Sequence, residues 1–190
     1  MYETGDLIVK ENTGVCKVVN IVNLDMSEID RNKLYYQLTP LEDEKAKIYV
    51  STENACLTTR KIMTMEESID LIEHVADVEI LAITNDKLRE QKYKEIIKSN
   101  NPKELIRIIK TTYLRSKERL VKGMKNTVAD KKYLGLAEKL LFSELRVALG
   151  KDNEEVHALI KKSVEKSNNS RMHLTGISAV NSLTTTKLLN

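Results

Sequence analysis

Hydrophobic and polar positions recur at two different periods along this chain, and the period changes near residue 60. Leu7-Ile8-Val9 and Val15 to Val22 are apolar runs, each preceded by a turn signal, Gly5-Asp6 and Asn12-Thr13-Gly14. Leu34 to Thr39 and Ala46 to Ser51 alternate cleanly. That alternation predicts strands with Leu34, Tyr36, Leu38, Ala46, Ile48 and Val50 facing a core, and Tyr35, Gln37, Lys47 and Tyr49 facing out. The run from Val15 to Val22 is apolar on both phases, so it assigns itself no inner face. The polar stretch Asp25 to Asn32 reads as a hairpin loop, and Pro40 to Glu44 as a turn. About four strands in so short a span are expected to roll into a small barrel.

Beyond residue 60 the apolar period becomes helical. Thr64-Met65-Glu66-Glu67 is a capping box opening a helix to about Ala76, with Ile69, Ile72 and Val75 or Ala76 as its buried stripe. Asn85 or Asp86 caps a helix from Lys87 to about Ser99 that carries Leu88, Tyr93, Ile96 and Ile97. Asn101 and Pro102 are a good cap and first residue for the next helix, which Gly123 ends; its face is Leu105, Ile109, Thr112, Tyr113 and Leu120. Thr127 and Asp130 cap a further helix closed by Gly150, its face Leu134, Ala137, Leu140, Leu141, Leu145 and Ala148. The short link predicts an antiparallel pair. Asp152 or Asn153 caps a last helix to about Lys166 with Val156, Leu159, Ile160 and Val164. Ser167 onward is rich in Ser, Thr and Asn, lacks helix punctuation, and is expected to be a flexible tail. The expected organisation is a β-rich domain over 1–62, a helical domain over 63–166 and a tail over 167–190.

Charge sharpens this division. The net charge of +3 is modest, but residues 1–84 carry 8 basic and 16 acidic residues, whereas 85–190 carry 23 and 12. Such asymmetry points to two kinds of partner, a polyanion for the second half. Lys103, Arg107, Lys110 and Lys117 fall on one side of a single helix at about 100° per residue. For any one of these lysines a solvated position is the ordinary explanation; the row is what suggests a polyanion. Outward Tyr49 beside Lys47 suits a protein contact.

Cys16 and Cys56, the two cysteines, fit neither a disulfide framework nor a zinc site and are expected to be buried thiols. The acidic start lacks a signal-peptide run and no window approaches a membrane span, so a soluble cytoplasmic protein is expected. Catalytic signatures are missing. No phosphate-binding glycine loop is present, His74, His157 and His173 lack metal-ligand spacing, and no Ser or Cys sits in a nucleophile motif. The expectation is a non-enzyme without cofactor or metal.

The order of parts resembles the CarD/CdnL family of bacterial transcription regulators over about residues 1–165. The pieces that carry the resemblance are Gly5-Asp6 with Gly14, Glu53-Asn54 after a strand, Lys92-Tyr93-Lys94, Tyr113 to Arg119, and Asp130-Lys131-Lys132-Tyr133-Leu134. The resemblance implies an α+β protein: a Tudor-like barrel that binds the β subunit of RNA polymerase, then an all-α domain of four to five helices. That second domain is implied to contact promoter double-stranded DNA at the upstream bubble edge and to stabilise the open complex. A nucleoid-associated cytoplasmic monomer is expected. Carried over by position, Lys94, Arg115 and Lys131, with neighbours Lys92 and Lys132, are DNA contacts; Tyr49, Lys47 and Leu24 meet the polymerase. Many family members have a tryptophan four residues before the equivalent of Tyr93. Arg89 stands there, and an arginine suits a phosphate or a narrow minor groove. The alternative class is an adaptor whose basic helices bind an acidic protein without DNA.

Overall fold

The computed structural model describes residues 1–24 and 33–163. The expected hairpin loop over 25–32, Val164 and the expected tail lie outside the described residues. The chain divides into two compact units. The first is Met1–Ile62 with Ile97–Asn100, and the second comprises the remaining residues from Met63 onward.

The first unit is a five-stranded antiparallel sheet with α-helical punctuation. Its strands are β1 (Leu7–Lys10), β2 (Gly14–Asn23), β3 (Leu34–Pro40), β4 (Ile48–Ser51) and β5 (Thr59–Lys61), and the four-residue α1 (Ala55–Thr58) precedes β5. The spatial order is β4-β3-β2-β1-β5. Gly14, with φ of 96°, makes the tight connection from β1 into β2 that a side chain would strain. The expected barrel is corrected here: the sheet stays open, with β4 and β5 as its two edges. Closure is unnecessary because other groups cover the core. Ile8, Cys16, Val18, Tyr36, Leu38 and Ala55 of α1 form the buried cluster, and Tyr2, Ile21, Ile48 and Val50 pack on it. Tyr2 is pinned there by its amide donating to Tyr36 Oη at 3.0 Å and by its own hydroxyl, which accepts from Thr59 Oγ1 at 3.1 Å.

The alternation in β3 and β4 predicts the inner face well, save that Leu34 is 44% exposed and Ala46 precedes β4. The two-phase run in β2 has a physical cause. The ladder to β3 shifts between Val18 and Asn20, leaving Val19 as the extra residue of a bulge. Cys16 is buried, and burial pushes its thiol up to about 11. Cys56 corrects the expectation of two buried thiols, for it is exposed on α1.

The second unit is helical: α2 (Met65–Glu73), a 3-10 turn (Val75–Asp77), α3 (Asp86–Ser99, of which residues up to 96 belong here), α4 (Pro102–Val121), α5 (Val128–Leu149) and α6, residues 153–163. The punctuation works as chemistry. Thr64 and Glu67 form the reciprocal capping box on α2, Asn101 caps α4, Thr127 caps α5, and Gly150 closes α5 in the left-handed conformation. Asp152 and Glu155 form a second reciprocal pair at the start of α6. The core takes Leu105, Ile106, Ile108 and Thr112 from α4, and Tyr133, Ala137, Leu140, Leu141, Leu145 and Leu149 from α5. Val156 of α6 is fully buried.

Three stripes need correction. Leu88 is 57% exposed and Arg89 takes the inward position, because four residues back from Tyr93 is the in-phase site and five is not. Ile69 is 45% exposed while Ser68, bonded back to the Thr64 carbonyl, is buried. On α4 the inward line runs through Ile108, leaving Ile109 and Tyr113 half-buried and Leu120 at 68% exposure. No described helix is long and apolar enough to cross a membrane. Leu38 is fully buried in β3, so Leu38→Ala is expected to lower stability by about 2–5 kcal/mol, read as a lower urea midpoint at unchanged slope.

Candidate functional site

The expected DNA-contact residues lie on three elements of the helical unit: the start of α3, the middle of α4 and the start of α5. Two aspartates at helix starts organise them. Asn85 caps α3 by accepting from the Leu88 amide at 3.1 Å, which fixes Asp86 as its first residue. Thr127 accepts from the Asp130 amide at 3.0 Å, which places the Asp130 carboxylate in the first turn of α5.

Arg89 was expected to reach DNA, and the structure places it elsewhere. Its side chain is 2% exposed. Its guanidinium donates to the carbonyls of Ile83 at 3.1 Å and Thr84 at 3.4 Å and pairs with Asp86. A buried guanidinium needs acceptors within the protein, and these three take hydrogens from both Nη atoms. Arg89 is therefore a strut that ties the segment before α3 to its first turn. The Arg89 hydrogen bond holds the Asp86 carboxyl below its usual range, with Arg115 adding to the effect.

Arg115 joins the elements. Its Nη2 lies 3.3 Å from Asp86 and its Nε donates to Asp130 Oδ2 at 3.3 Å. Asp130 is 6% exposed and its other oxygen accepts from the Tyr93 hydroxyl at 3.4 Å. Burial, followed by the Asp130 charge, raises the Tyr93 phenol well above its ordinary range. The result is a continuous chain, Arg89–Asp86–Arg115–Asp130–Tyr93, that locks α3, α4 and α5 together.

The lysines sit outside this brace. Tyr133 packs beside Tyr93 with ring centroids 5.5 Å apart and donates to Glu90 at 3.5 Å. Glu90 also pairs with Lys94 at 3.2 Å, and Lys132 stands 5.4 Å above the Tyr133 ring. Tyr133 and Glu90 thus bring Lys94 of α3 and Lys132 of α5 to one surface, with exposed Lys131 beside them. Lys92 pairs with Glu95 at 3.1 Å on the exposed part of α3. Exposed pairs of this kind contribute roughly 0–1 kcal/mol, so a phosphate can displace the carboxylate cheaply.

The basic row on α4 is corrected. Arg107 donates to both oxygens of Glu104 at 3.0 and 3.1 Å. Lys110 donates to the carbonyls of Val75 at 3.2 Å and Ala76 at 2.8 Å, and also to that of Val78. It satisfies the end of the 3-10 turn. Only Lys103 and Lys117 of that row are exposed. The Glu104–Arg107 spacing was readable as a pair in the sequence. The use of Lys110 was not, because its acceptors are more than 30 residues away in sequence.

In the sheet unit, Tyr49 is 43% exposed on the edge strand β4. It pairs across the ladder with Gln37, which pairs with Asn20, so these three share the outer face. Tyr35, two residues from Gln37, lies on that face too. Lys47 is exposed just before β4, and Leu24 is half-buried just after β2. Among the described residues no cluster of His, Cys, Asp or Glu could hold a metal ion.

Residues 2–63 match the CarD-like/TRCF RID domain, and residues 71–161 match the CarD, C-terminal domain. The chain belongs to the CarD-like family. No curated protein matches it significantly. CarD-family domains are non-catalytic interaction modules, and a CarD-like chain is a transcription-associated, RNA polymerase-interacting protein.

The brace has a pH signature of definite sign. The Asp86 carboxyl is lowered from 3.8 in the folded protein, so its contribution is full above that value and is lost as pH falls through the lower folded pKa. Asp86→Asn is expected to flatten the fall in melting temperature below about pH 4 and to leave its shape above pH 5 unaltered. Asp130→Ala is expected to destabilise by about 1–3 kcal/mol, read by denaturant unfolding, since Tyr93 and Arg115 both lose their acceptor.

Proposed function

We propose that this CarD-like protein binds the β subunit of RNA polymerase through the sheet unit and upstream promoter DNA through its basic helices, and so modulates the lifetime of the open complex without catalysing a reaction. The reading rests on one observation above all. Lys94 and Lys132 gather around Tyr133 and Glu90, with exposed Lys131 next to Lys132 in α5, while the arginine–aspartate brace holds three helices at fixed spacing. Phosphates need cations at a surface that does not pay an ordering cost on binding, and a braced set of helices supplies that. Lys131 and Lys132 also stand in the first turns of α5, where the helix dipole adds to their charge. Arg89 takes part as a strut, and Arg115 reaches a phosphate only in competition with Asp86 and Asp130. For the polymerase, the outer face around Tyr49, with exposed Lys47 two residues before it, offers an aromatic anchor on an edge strand, and Leu24 stands apart at the far end of β2. Tyrosine carries much binding energy in such settings.

Lys131→Glu with Lys132→Glu is expected to weaken binding to duplex DNA at least tenfold and to shallow the logarithmic salt slope by about two, with an unchanged unfolding midpoint. Fluorescence anisotropy over a salt series measures both. Unchanged DNA affinity together with salt-insensitive capture of an acidic protein would instead support an adaptor without DNA. Tyr49→Ala is expected to lower retention by the polymerase β subunit roughly tenfold with no change in DNA affinity, as measured by surface-immobilised binding.

A further inference from the structure

A cleft of about 200 Å³ opens on the sheet unit beside its edge strand β5. Its wall includes Glu11 just past β1, Cys56 and Thr58 of α1, Arg60 of β5, and Asn100 just past α3. All of these residues belong to the sheet unit. Hydrogen bonds fix the wall. The Glu11 amide donates to the Thr58 carbonyl at 2.9 Å, which ties the end of β1 to α1. Arg60 lies opposite Val9 in the β1–β5 ladder, and its Nη2 donates to the Asn100 carbonyl at 2.8 Å.

Two side chains of this wall are not used by the fold. Asn100 is 2% exposed, and among the described residues neither its Oδ1 nor its Nδ2 has a hydrogen-bond partner. Its backbone is left-handed, with φ of 49°, a conformation that asparagine tolerates. Glycine would serve that turn without burying an amide. An unpaired buried amide costs stability, and a ligand that brings one donor and one acceptor removes the cost. A peptide group brings both. The second side chain is the exposed thiol of Cys56. Cys16, by contrast, is buried and its thiol is pushed up to about 11. An accessible thiol exchanges with the sulfur of a disulfide. Glu11 and Arg60 add one charge of each sign to the wall, which suits a ligand carrying both an ammonium and a carboxylate rather than a polyanion. A small peptide that carries a disulfide meets all three demands.

We propose that Cys56 is a redox modification site, which takes a small peptide thiol as a mixed disulfide while a peptide group of the adduct pairs with the Asn100 amide. Cys56 gives its proton to solvent, and its thiolate attacks one sulfur of a small peptide disulfide. The new S–S bond forms at Cys56 as the old one breaks. The other half leaves as a thiolate and takes up a proton, so Cys56 is oxidised and the departing half reduced. A free thiol reverses the step by the same exchange. Residue 56 lies within the span that matches the CarD-like/TRCF RID domain, so the adduct marks that domain according to the thiol–disulfide balance. The reaction needs neither DNA nor polymerase.

The test exposes the full chain to oxidised glutathione, a peptide disulfide, and to 2-hydroxyethyl disulfide, which has no peptide group or charge. Intact mass reports the adduct, and each rate is divided by that of N-acetylcysteine amide with the same disulfide. Oxidised glutathione is expected to give a single adduct that dithiothreitol removes and that Cys56→Ser lacks. The normalised rate is expected to favour oxidised glutathione about tenfold, the worth of one or two hydrogen bonds. Asn100→Gly, which suits the left-handed backbone and removes the amide, is expected to abolish that preference and leave the rate with 2-hydroxyethyl disulfide unchanged. Equal normalised rates with the two disulfides overturn the proposal, leaving Cys56 an exposed thiol without a recognition site. A preference that survives Asn100→Gly, or a loss of both rates together in that variant, overturns it too. So does an adduct that persists in Cys56→Ser, or no adduct at all.

Discussion

Two aspartates govern the helical half of this protein. Asp86 and Asp130 each stand in the first turn of a helix and share one arginine, Arg115, between them. The nearly buried Asp130 carboxylate depends on Arg115, and the buried Arg89 depends on Asp86 and two carbonyls for its partners. The mutual dependence specifies geometry more than it adds stability. It aligns the start of α3, the middle of α4 and the start of α5, and Tyr93 seals the chain from within through its bond to Asp130. The basic surface of the helical unit is set on that frame.

The brace also sorts the positive charge by task. Arg89, Arg107 and Lys110 serve the fold, satisfying carbonyls and carboxylates that would otherwise stand bare. Lys94 and Lys132 stand outside, on an exposed ion pair and a ring face, with Lys131 exposed beside Lys132. A count of basic residues in the second half therefore overstates what a polyanion can use. The division follows a physical rule. Arginine, with its fork of donors, is suited to internal pairing, while flexible, strongly hydrated lysine ammoniums remain at the surface. Lys110 is the exception, since its long stem brings the ammonium to the carbonyls that end the 3-10 turn.

The sheet unit solves a different problem. It covers one apolar face without closing into a barrel, using Tyr2 and Ala55 as a lid over the strand core. Leaving the sheet open leaves β4 as an edge beside an outward Tyr49, and an edge strand with an aromatic neighbour is the usual material of a protein contact. An open sheet thus serves partner binding better than a closed barrel of the same strands.

Local chemistry was legible in the chain itself. Thr64, Asn101, Thr127 and Gly150 mark helix ends through bonds spanning at most a few residues, and Leu34 to Ser51 alternates because one face meets a core. The change from strands to helices near residue 60 and the family resemblance were readable for the same reason: each rests on local pattern and order. What lay beyond the sequence depends on partners distant in the chain. Arg89 turned inward because Asp86 and two carbonyls closed around it, and Arg115 was committed by carboxylates 15 and 29 residues away. Lys110 left its basic row for acceptors more than 30 residues distant. The bulge at Val19 and the open sheet likewise follow from which strands meet. A residue's type sets what it can bind, but tertiary packing decides which acceptor it finds, and so which charges remain for another molecule.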